Sequence, residues 1–282
     1  MNHASIIYAL DDTTNQCLKL NSGINEYLQE VSESLVSHFM LEDFVIYFKP
    51  STKNNLKQFM KVNHNKGCFF PKHAYSIKFG QGIVGESARQ KKSILVNDTS
   101  KNPIYISEDA HRYSELVVPI INNNSIIGAL DSEHSKKNFY TKELLHVFGI
   151  TAKLICYFLN ESKSKHQQKV EKKHFIFFTD LLNKKKVFLN EELSSKEVAE
   201  MINISPAYFS SIVNKISGQS FSSIVNSYRV RHIIELLKKD EYKKKTLLSI
   251  AMSSGFNSKS SFNLNFKKIT LKSPSEFIAD MS

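Results

Sequence analysis

A polar segment constrains this chain more than any other feature. It separates two stretches in which apolar residues recur with the spacing of packed helices and strands. Residues 160–173 contain a single apolar side chain, Val170. A stretch this polar offers no anchor for a hydrophobic core, so it predicts a linker or an exposed helix between two packed units. We therefore expect an N-terminal domain over residues 18–160, a linker or signalling helix over residues 161–174, and a C-terminal domain over residues 175–282.

The composition is that of a packed protein with room for two domains. The chain has 282 residues, of which 41% are hydrophobic and 23% charged, as is typical of soluble domains. No run of about 18 apolar residues occurs, which argues against a membrane-spanning helix. The first residues show no basic region ahead of an apolar core, and the three cysteines are widely spaced. Neither a secretory signal nor a disulfide framework is expected, and we predict a cytoplasmic protein without membrane contact.

Basic residues are concentrated in the last two-fifths of the chain. Residues 1–160 hold 17 Lys and Arg against 15 Asp and Glu, whereas residues 161–282 hold 21 against 12. Such an asymmetry indicates that the C-terminal part meets a polyanion and that the N-terminal part has another role. The alternative is that the excess of basic residues lies on lysine-rich helix faces that contact only solvent.

The N-terminal part has the pattern of a mixed α and β domain. Apolar residues recur at helical spacing from Glu26 to Phe39 and again from Leu145 to Leu159. Short strand-like runs lie between them, and Asn122-Asn-Asn-Ser125 supplies the turn of a hairpin. The apolar spacing of the last helix suits burial on the domain's own sheet as well as a seam between two subunits. A homodimer is therefore expected.

A glycine-rich loop follows the strand predicted over residues 74–79. Gly80, Gly82 and Gly85 satisfy G-x-G-x-x-G between a strand and a helix, which is the context of a dinucleotide-binding loop. The loop, however, comes after about three earlier strands. The first acid at a strand end, Asp98, follows Gly85 by thirteen residues rather than by about twenty. Both features disfavour nucleotide binding of the Rossmann kind.

The same loop belongs to an ordered set of motifs spread over residues 25–160. The set resembles a GAF domain, and within that superfamily it is most similar to free methionine-(R)-sulfoxide reductase. The resemblance implies an α+β fold, with an antiparallel sheet, helices behind it and a small-molecule pocket on the other face. The motifs are Gly80-Gln-Gly-Ile-Val-Gly85, Ile94-Leu-Val-Asn-Asp98, Pro103, Ser114-Glu-Leu-Val-Val-Pro119 and Gly128-Ala-Leu-Asp-Ser-Glu133.

The catalytic part of that resemblance is missing. The reductase needs a thiolate nucleophile and a resolving thiol. Its three cysteine positions fall on Val84, Ile94 and Glu108 here. No catalytic residue is therefore predicted and the chain is not expected to be an enzyme. A reductase-like enzyme fused to a second domain is the disfavoured alternative.

Acidic residues remain at the pocket positions of the reductase, where they hold the ammonium group of the amino acid. The resemblance places them at Glu115, Asp131 and Glu133. We take Tyr105 as a candidate wall of the pocket. Clustered buried carboxylates select a cation, because unpaired buried charge is unfavourable. The expected ligand is an unknown small molecule bearing an amino group. The alternative is that the acids pair with local Lys or Arg residues at a strand end.

No metal site or cofactor is predicted. His64, Cys68 and His73 are close in sequence, but their spacing matches no usual zinc pattern. Surface or core roles account for all three.

The C-terminal part contains two similar pairs of short helices. In the first pair, Ser194 and Glu197 form a capping box, and Ser205-Pro206 starts the next helix. A second pair follows, in which Gly255 ends the first helix and Ser258 caps the start of the second. Two short helices joined by a tight turn are typical of a head that reads the major groove of DNA. The side chains expected to face DNA are Ala207, Tyr208, Ser210, Ser211, Asn214 and Lys215 in the first head, and Lys259, Ser260, Asn263, Leu264 and Lys267 in the second.

An amphipathic helix is predicted between the two heads, over residues 221–239. Some eighteen residues span roughly 27 Å at about 1.5 Å each. That length is close to the ~34 Å of one duplex turn. The two heads are therefore spaced to enter successive major grooves on one side of double-stranded DNA.

This arrangement resembles the AraC/XylS family of transcription regulators over about residues 175–280, and it implies an all-α double helix-turn-helix domain. Arg229, in the motif Tyr228-Arg229, is included among the expected DNA contacts. The other motifs are Leu193-Ser-Ser-Lys-Glu-Val-Ala199, Ser205-Pro-Ala-Tyr-Phe-Ser210, Gly218-x-x-Phe221, Ile250-Ala-x-x-x-Gly-Phe256, Asn257-Ser-Lys-Ser-Ser-Phe262, Phe266-Lys-Lys268 and Ser273-Pro-Ser-Glu-Phe277.

The chain also departs from the family pattern. Leu264 replaces an arginine of the second reading helix, Leu271 replaces a glycine, and Ile278 replaces an arginine. Each lost cation removes a potential contact to guanine or phosphate. Leu264 meets a thymine methyl group or simply packs. Base preference is not predictable, and affinity is expected to depend on the remaining basic residues, including the run Lys243–Lys245.

These observations predict a sequence-specific DNA-binding transcription regulator. A ligand in the GAF domain would bias the connecting helix and change how two subunits present their heads. RNA polymerase is a further candidate partner. The remaining alternative is a protein-interaction module with degenerate helix pairs that do not bind DNA.

Overall fold

The computed structural model describes residues 3–106, 112–239 and 245–280. Glu108, Lys243 and Lys244, which were singled out in the sequence, lie outside the described residues. The chain divides into two compact units, Met1–Ser164 and Lys165–Ser282, and each is described by itself.

Unit 1 is built on an antiparallel sheet with the strand order β3-β2-β1-β7-β6-β5, and β4 pairs with β2. Its helices are α1 (His3–Leu20), α2 (Ile24–Phe39), α3 (Gly82–Gln90) and the first part of α4 (Lys142–Asn183). Its strands are β1 (Asp43–Phe48), β2 (Asn55–Asn63), β3 (Gly67–Phe69), β4 (Ser76–Lys78), β5 (Ile94–Val96), β6 (Ser114–Asn122) and β7 (Ser125–His134).

The two faces of this sheet pack against different helices. Along β1, Phe44 and Ile46 join the apolar cluster that includes buried residues of α1, α2 and α4. Val45 and Tyr47 point to the opposite face and pack with apolar residues of α3. This alternation is the period-two pattern of a strand that is buried on both faces. The face that carries α3 is the one on which a pocket lies.

Helix α1 begins at His3, before residue 18, at which the N-terminal domain was expected to start. Ile6, Leu10 and Cys17 form its buried stripe. The buried hydroxyl of Thr14 lies 3.1 Å from the hydroxyl of Tyr27 on α2. These contacts make α1 part of the packed core of unit 1.

Residues 161–174, expected as a linker or exposed helix, are helical within α4.

Helix α4 contains a window of 18 residues with a mean hydropathy of 1.2. By length and composition alone, the helix is long and apolar enough to cross a membrane. A single helix of this kind is weak evidence for a membrane span. Of that window, 39% is buried in the structure, and core helices of soluble proteins have similar compositions.

Unit 2 contains the rest of α4 and six shorter helices with two apolar clusters among its described residues. The first cluster joins α4, α5 and α6, and the second joins α8, α9 and α10. Val225 of α7 lies in the first cluster, whereas Val230 and Ile233 of the same helix lie in the second. The helices are α5 (Ser195–Met201), α6 (Pro206–Ser217), α7 (Phe221–Lys238), α8 (Leu247–Ser253), α9 (Lys259–Thr270) and α10 (Pro274–Ala279).

Candidate functional site

An open cavity lies on the α3 side of the sheet in unit 1. It encloses about 510 Å³, its solvent-filled mouth included. Its walls combine polar side chains from the strands with apolar side chains from α3 and the segment before residue 107. The lining residues are Asp43, Val45, Tyr47, Lys61, Tyr75, Ile77, Gln81, Gly82, Ile83, Val84, Ile106, Glu115, Asp131 and Glu133.

The register of three neighbouring strands brings four carboxylates together in this cavity. Glu115 on β6 is paired with Glu133 on β7, and Asp131 lies between Val117 and Val45 of the strands on either side. Asp43 on β1 joins them, since its Oδ1 accepts a 2.9 Å hydrogen bond from the backbone N–H of Glu133. Asp43, Glu115 and Asp131 are only 2%, 4% and 6% exposed.

One basic side chain lines the described part of the cavity beside these acids. Lys61 Nζ lies 3.3 Å from Asp43 Oδ2. Among the described lining residues, four carboxylates therefore share the cavity with Lys61. Like charges placed opposite each other on adjacent strands are destabilising, and acids held away from water favour a cation nearby. The arrangement is chemically suited to a small cationic group.

Of the four residues predicted for the ligand, Glu115, Asp131 and Glu133 line the cavity. Tyr105 does not appear among the described lining residues. It packs beside the apolar cluster on that side of the sheet, and its hydroxyl accepts a hydrogen bond of 3.2 Å from the backbone N–H of Arg112. Its neighbour Ile106 contributes to the wall instead.

Asp43 and Lys61 were missed by the sequence reasoning. The first strand-like run of the sequence, Phe44–Phe48, begins one residue after Asp43. Alternation along β1 would have placed Asp43 on the same face as Val45 and Tyr47. Lys61 carries no comparable signal, because only the pairing of β2 with β1 brings it to the site.

The glycine loop serves the packing of α3. A Cβ on Gly85 would overlap the carbonyl oxygen of Lys78. The backbone N–H of Gly80 donates to the carbonyl oxygen of Gly85 over 2.7 Å. Gly85 therefore permits a close approach between the helix and the preceding strand, which is a structural reason for the motif.

The first helix pair of unit 2 is fixed by local hydrogen bonds that the sequence predicts. Ser194 and Glu197 form a capping box at α5. Asn203 adopts a left-handed conformation with φ 55° between the helices. Ser205 Oγ then accepts a hydrogen bond of 3.3 Å from the backbone N–H of Tyr208 at the start of α6. These bonds satisfy helix-end donors and set the turn of the pair.

Helix α6 buries one face and presents the other. Phe209, Ile212 and Val213 are buried, so the polar positions lie on the remaining surface. Of the residues predicted to face DNA on α6, Tyr208 and Ser210 are half-buried, and the others are exposed, namely Ala207, Ser211, Asn214 and Lys215.

Helix α9 of the second pair presents its predicted DNA-facing residues in the same way. Ser258 caps its first turn, and Phe262 and Phe266 are buried. Leu264 is 71% exposed, so it does not pack into the domain, which removes one of the two alternatives left open for it. The predicted residues Lys259, Ser260, Asn263, Leu264 and Lys267 are all exposed.

Arg229 departs from the prediction that it contacts DNA. It is only 9% exposed. Its Nε donates to the carbonyl oxygen of Phe188 over 2.8 Å, and its Nη2 donates to that of Asn190 over 2.7 Å. The guanidinium also lies 5.8 Å from the ring centroid of Phe256. Because its donors are used inside unit 2, Arg229 holds the domain together and is removed from the candidate interface.

Two family models match separate parts of the chain. A model of the GAF domain matches residues 21–156, and a model of a helix-turn-helix domain matches residues 198–280. The GAF domain of a phosphoenolpyruvate-protein phosphotransferase from Coxiella burnetii has a similar fold, with a TM-score of 0.50 at 15% identity, covering 59% of this chain and 99% of that one.

Curated relatives match short segments. The free methionine-R-sulfoxide reductase of Saccharomyces cerevisiae is 41% identical over 56 residues, which is 20% of this chain and 31% of that protein. An uncharacterized HTH-type transcriptional regulator of Staphylococcus aureus is 30% identical over 92 residues, which is 32% of this chain and 12% of that protein. The chain therefore spans well under two thirds of the length of these relatives.

The fold class expected from the sequence is confirmed: an α+β GAF domain is followed by a helical helix-turn-helix domain of the AraC type. Together these two domains indicate a transcription regulator with a GAF sensing module.

Proposed function

We propose that this chain is a sequence-specific DNA-binding regulator whose two helix-turn-helix heads read double-stranded DNA under the control of a ligand in the GAF domain. The observation that carries the proposal is the pair of exposed polar faces on α6 and α9. Each face belongs to a capped helix in a helix pair, and α7, a single helix of 18 residues, enters the apolar core of both pairs.

The basic residues on these faces supply affinity and the uncharged ones supply base contacts. Lys215, Lys259 and Lys267 suit phosphate oxygens. Asn214 and Asn263 suit adenine edges in the major groove. Leu264 is exposed and apolar, so it suits the methyl group of thymine.

The DNA-binding proposal is tested by titrating the purified full chain against a duplex of about 30 base pairs, roughly three turns, at several salt concentrations. Lys267→Ala is expected to weaken binding on all sequences and to reduce the salt slope by about 0.9. Lys19→Ala, which removes an exposed lysine of unit 1, is the matched control and should change neither. Equal binding by the two variants would refute the assignment of Lys267.

We further propose that the GAF cavity takes a small molecule bearing an amino group, held by Glu115, Asp131 and Glu133. Asp43 and its partner Lys61 complete the polar floor. Four of the described lining residues are acids and one is a lysine, and this negative formal charge supports a cationic ligand. In the alternative, the acids pair with Lys or Arg residues, as Asp43 does with Lys61.

Calorimetry with free amino acids and their oxidised forms tests the ligand proposal. Heat of binding is expected at concentrations up to about millimolar and should vanish in Asp131→Asn. Asp12→Asn, which removes an exposed acid of α1, should bind as the wild type does. Absence of heat with every amino-bearing compound would exclude this ligand class.

We propose that the regulator does not carry out the cysteine chemistry of the reductase that it resembles and is not an enzyme. None of the described residues that line the cavity is a cysteine, and Val84 lies in its wall where the reductase resemblance would place one of its thiols. A nucleophilic cysteine mechanism needs such a thiol at the ligand. An NADPH-coupled reductase assay on the full chain should give no turnover above that of free thiols.

Residues 161–174 are proposed to act as the signalling helix between a sensor over residues 18–160 and a DNA-binding domain over residues 175–282. The proposed active form is a homodimer, with RNA polymerase as a further partner and the cytoplasm as its location. Sedimentation that shows only monomer at tens of micromolar would exclude the dimer.

A further inference from the structure

Two residues predicted to face DNA are already engaged inside unit 2. Lys215 Nζ lies 2.6 Å from Glu171 Oε2, and the Tyr208 hydroxyl accepts a 2.8 Å hydrogen bond from Gln167 Nε2. Both partners lie on α4. The contacts therefore cover part of the surface on which the first head would meet DNA.

The contacts on α4 come from one face of that helix. Gln167, Glu171 and His174 are spaced by four and three residues, so they lie above one another. On α6, Tyr208 and Lys215 are seven residues apart and likewise share one face. The ring of His174 meets that of Tyr208 edge to face, with centroids 6.1 Å apart. We call Gln167, Glu171 and His174 the covering face.

Glu171 is the centre of the covering face. Its side chain is 11% exposed, whereas that of Lys215 is 57% exposed. Gln167 Nε2 also donates to Glu171 Oε1 over 3.2 Å, which holds the carboxylate in place. A fixed carboxylate is therefore paired with a lysine that is otherwise accessible from solvent.

We propose that Glu171 masks Lys215, so that DNA must displace this carboxylate before the first head engages fully. Glu171 thereby sets the DNA affinity of a head to which it does not itself belong. The occupant that competes with it is the phosphate of double-stranded DNA. The ion pair is exposed on the lysine side, and such pairs are weak enough for phosphate to displace them. This inference rests on the proposed DNA-binding function.

The test compares DNA binding by the full chain with and without the carboxylate. Glu171→Gln keeps the shape of the side chain and its contact with Gln167 but removes the charge. It is expected to bind a duplex of about 30 base pairs more tightly than wild type. One further lysine–phosphate contact steepens the salt slope by about 0.9, which amounts to an affinity gain of up to about eightfold near 0.1 M salt.

Two controls separate masking from a general effect of charge. Asp180→Asn removes an acid from the same helix whose 2.8 Å partner, Lys184, is not among the predicted DNA contacts, and it should leave the affinity unchanged. In a Lys215→Ala background, Glu171→Gln should have no further effect, because the residue it releases is absent. An equal gain in both backgrounds would overturn the proposal.

The remaining outcomes are also decisive. If wild type binds DNA and Glu171→Gln binds equally or more weakly, the masking role is refuted while the proposed function stands. If Glu171→Gln binds and wild type does not, masking is stronger than expected and the proposal is supported. If neither binds even at low salt, the DNA-binding function fails and the inference fails with it.

Discussion

Arg229 and Gly255 lie where the apolar clusters of the two helix pairs in unit 2 meet. Arg229 donates to carbonyl oxygens of Phe188 and Asn190 and lies over the ring of Phe256. Desolvation by burial lowers the pKa of its guanidinium, and these hydrogen bonds replace the lost water. Gly255 has a φ of 93°, and a Cβ there would overlap the carbonyl oxygen of Phe188 and lie 2.8 Å from Arg229 Nε.

Gly255→Ala is therefore predicted to destabilise unit 2 by about 3 kcal/mol or more, since backbone strain and a clash act together. Gly218→Ala is the matched control, because Gly218 has a φ of 68° but nothing within 4 Å of a built Cβ. The control should lose only about 1 kcal/mol from the strain. Denaturant unfolding of the two variants measures the difference, and equal losses would contradict the clash.

His134 and Glu42 make the stability of unit 1 sensitive to acid. Glu42 accepts hydrogen bonds from Arg112 and Ser135, and its Oε1 lies 3.6 Å from His134 Nε2. Burial lowers the pKa of His134, an effect that Glu42 opposes and Lys136 and Arg112 reinforce. Burial alone would raise the pKa of Glu42, but the bonds from Ser135 and the nearby positive charges lower it.

Both pKa values are lowered in the folded state, so the unfolded state takes up protons first as the pH falls. Stability is predicted to decline from about pH 6.5, the ordinary pKa of histidine, through the range in which Glu42 titrates. His134→Gln should flatten the fall in melting temperature between about pH 7.5 and 5.5. His146→Gln, at an exposed position of α4, should leave it as in wild type. Identical profiles for both variants would count against His134.

At the scale of elements, α1 belongs to the packed core although half of its residues are polar. Leu10 is fully buried, whereas Tyr8 on the same helix is 76% exposed. Substitutions at these two positions therefore test whether α1 is packed as described, because the two side chains lie on the same helix and differ in burial.

Leu10→Ala is predicted to destabilise unit 1 by about 2–5 kcal/mol, through lost burial and a residual cavity. Tyr8→Ala should stay within about 0.5 kcal/mol of wild type. Chemical denaturation followed by circular dichroism gives both values. A comparable loss in the two variants would mean that α1 is not docked as described.

The elements that the sequence predicts best are those fixed by local signals. The starts of α5, α6 and α9 follow from Ser194, Ser205 and Ser258, because a cap bonds to its own helix. Helix α1 was not predicted, since the polar run of residues 11–16 dilutes its apolar stripe.

The site was predictable only where a motif already marked its residues. The resemblance to the reductase predicted Glu115, Asp131 and Glu133. Strand pairing brings Lys61 to the cavity and the path of the chain brings Ile106, and neither is encoded by the local sequence. Arg229 was assigned to DNA for the same reason: whether a basic residue faces outward depends on tertiary packing.

At the scale of the whole molecule, a GAF domain and a helix-turn-helix domain occur in one chain, with 21 of its 38 basic residues after position 160. The central claim is that the second domain reads specific DNA sequences. Phosphate contacts alone would bind all sequences alike, whereas the exposed Asn214, Asn263 and Leu264 are suited to base edges. Sequence preference is therefore the property that distinguishes this account from binding by charge.

Selection of sheared genomic DNA by the purified full chain at physiological salt, followed by sequencing, tests this claim most directly. Wild type, or Glu171→Gln if masking is strong, is predicted to enrich a few fragments that share paired half-motifs about one helical turn apart, roughly 10.5 base pairs. Uniform recovery of fragments by both proteins would contradict a sequence-reading function for the two heads.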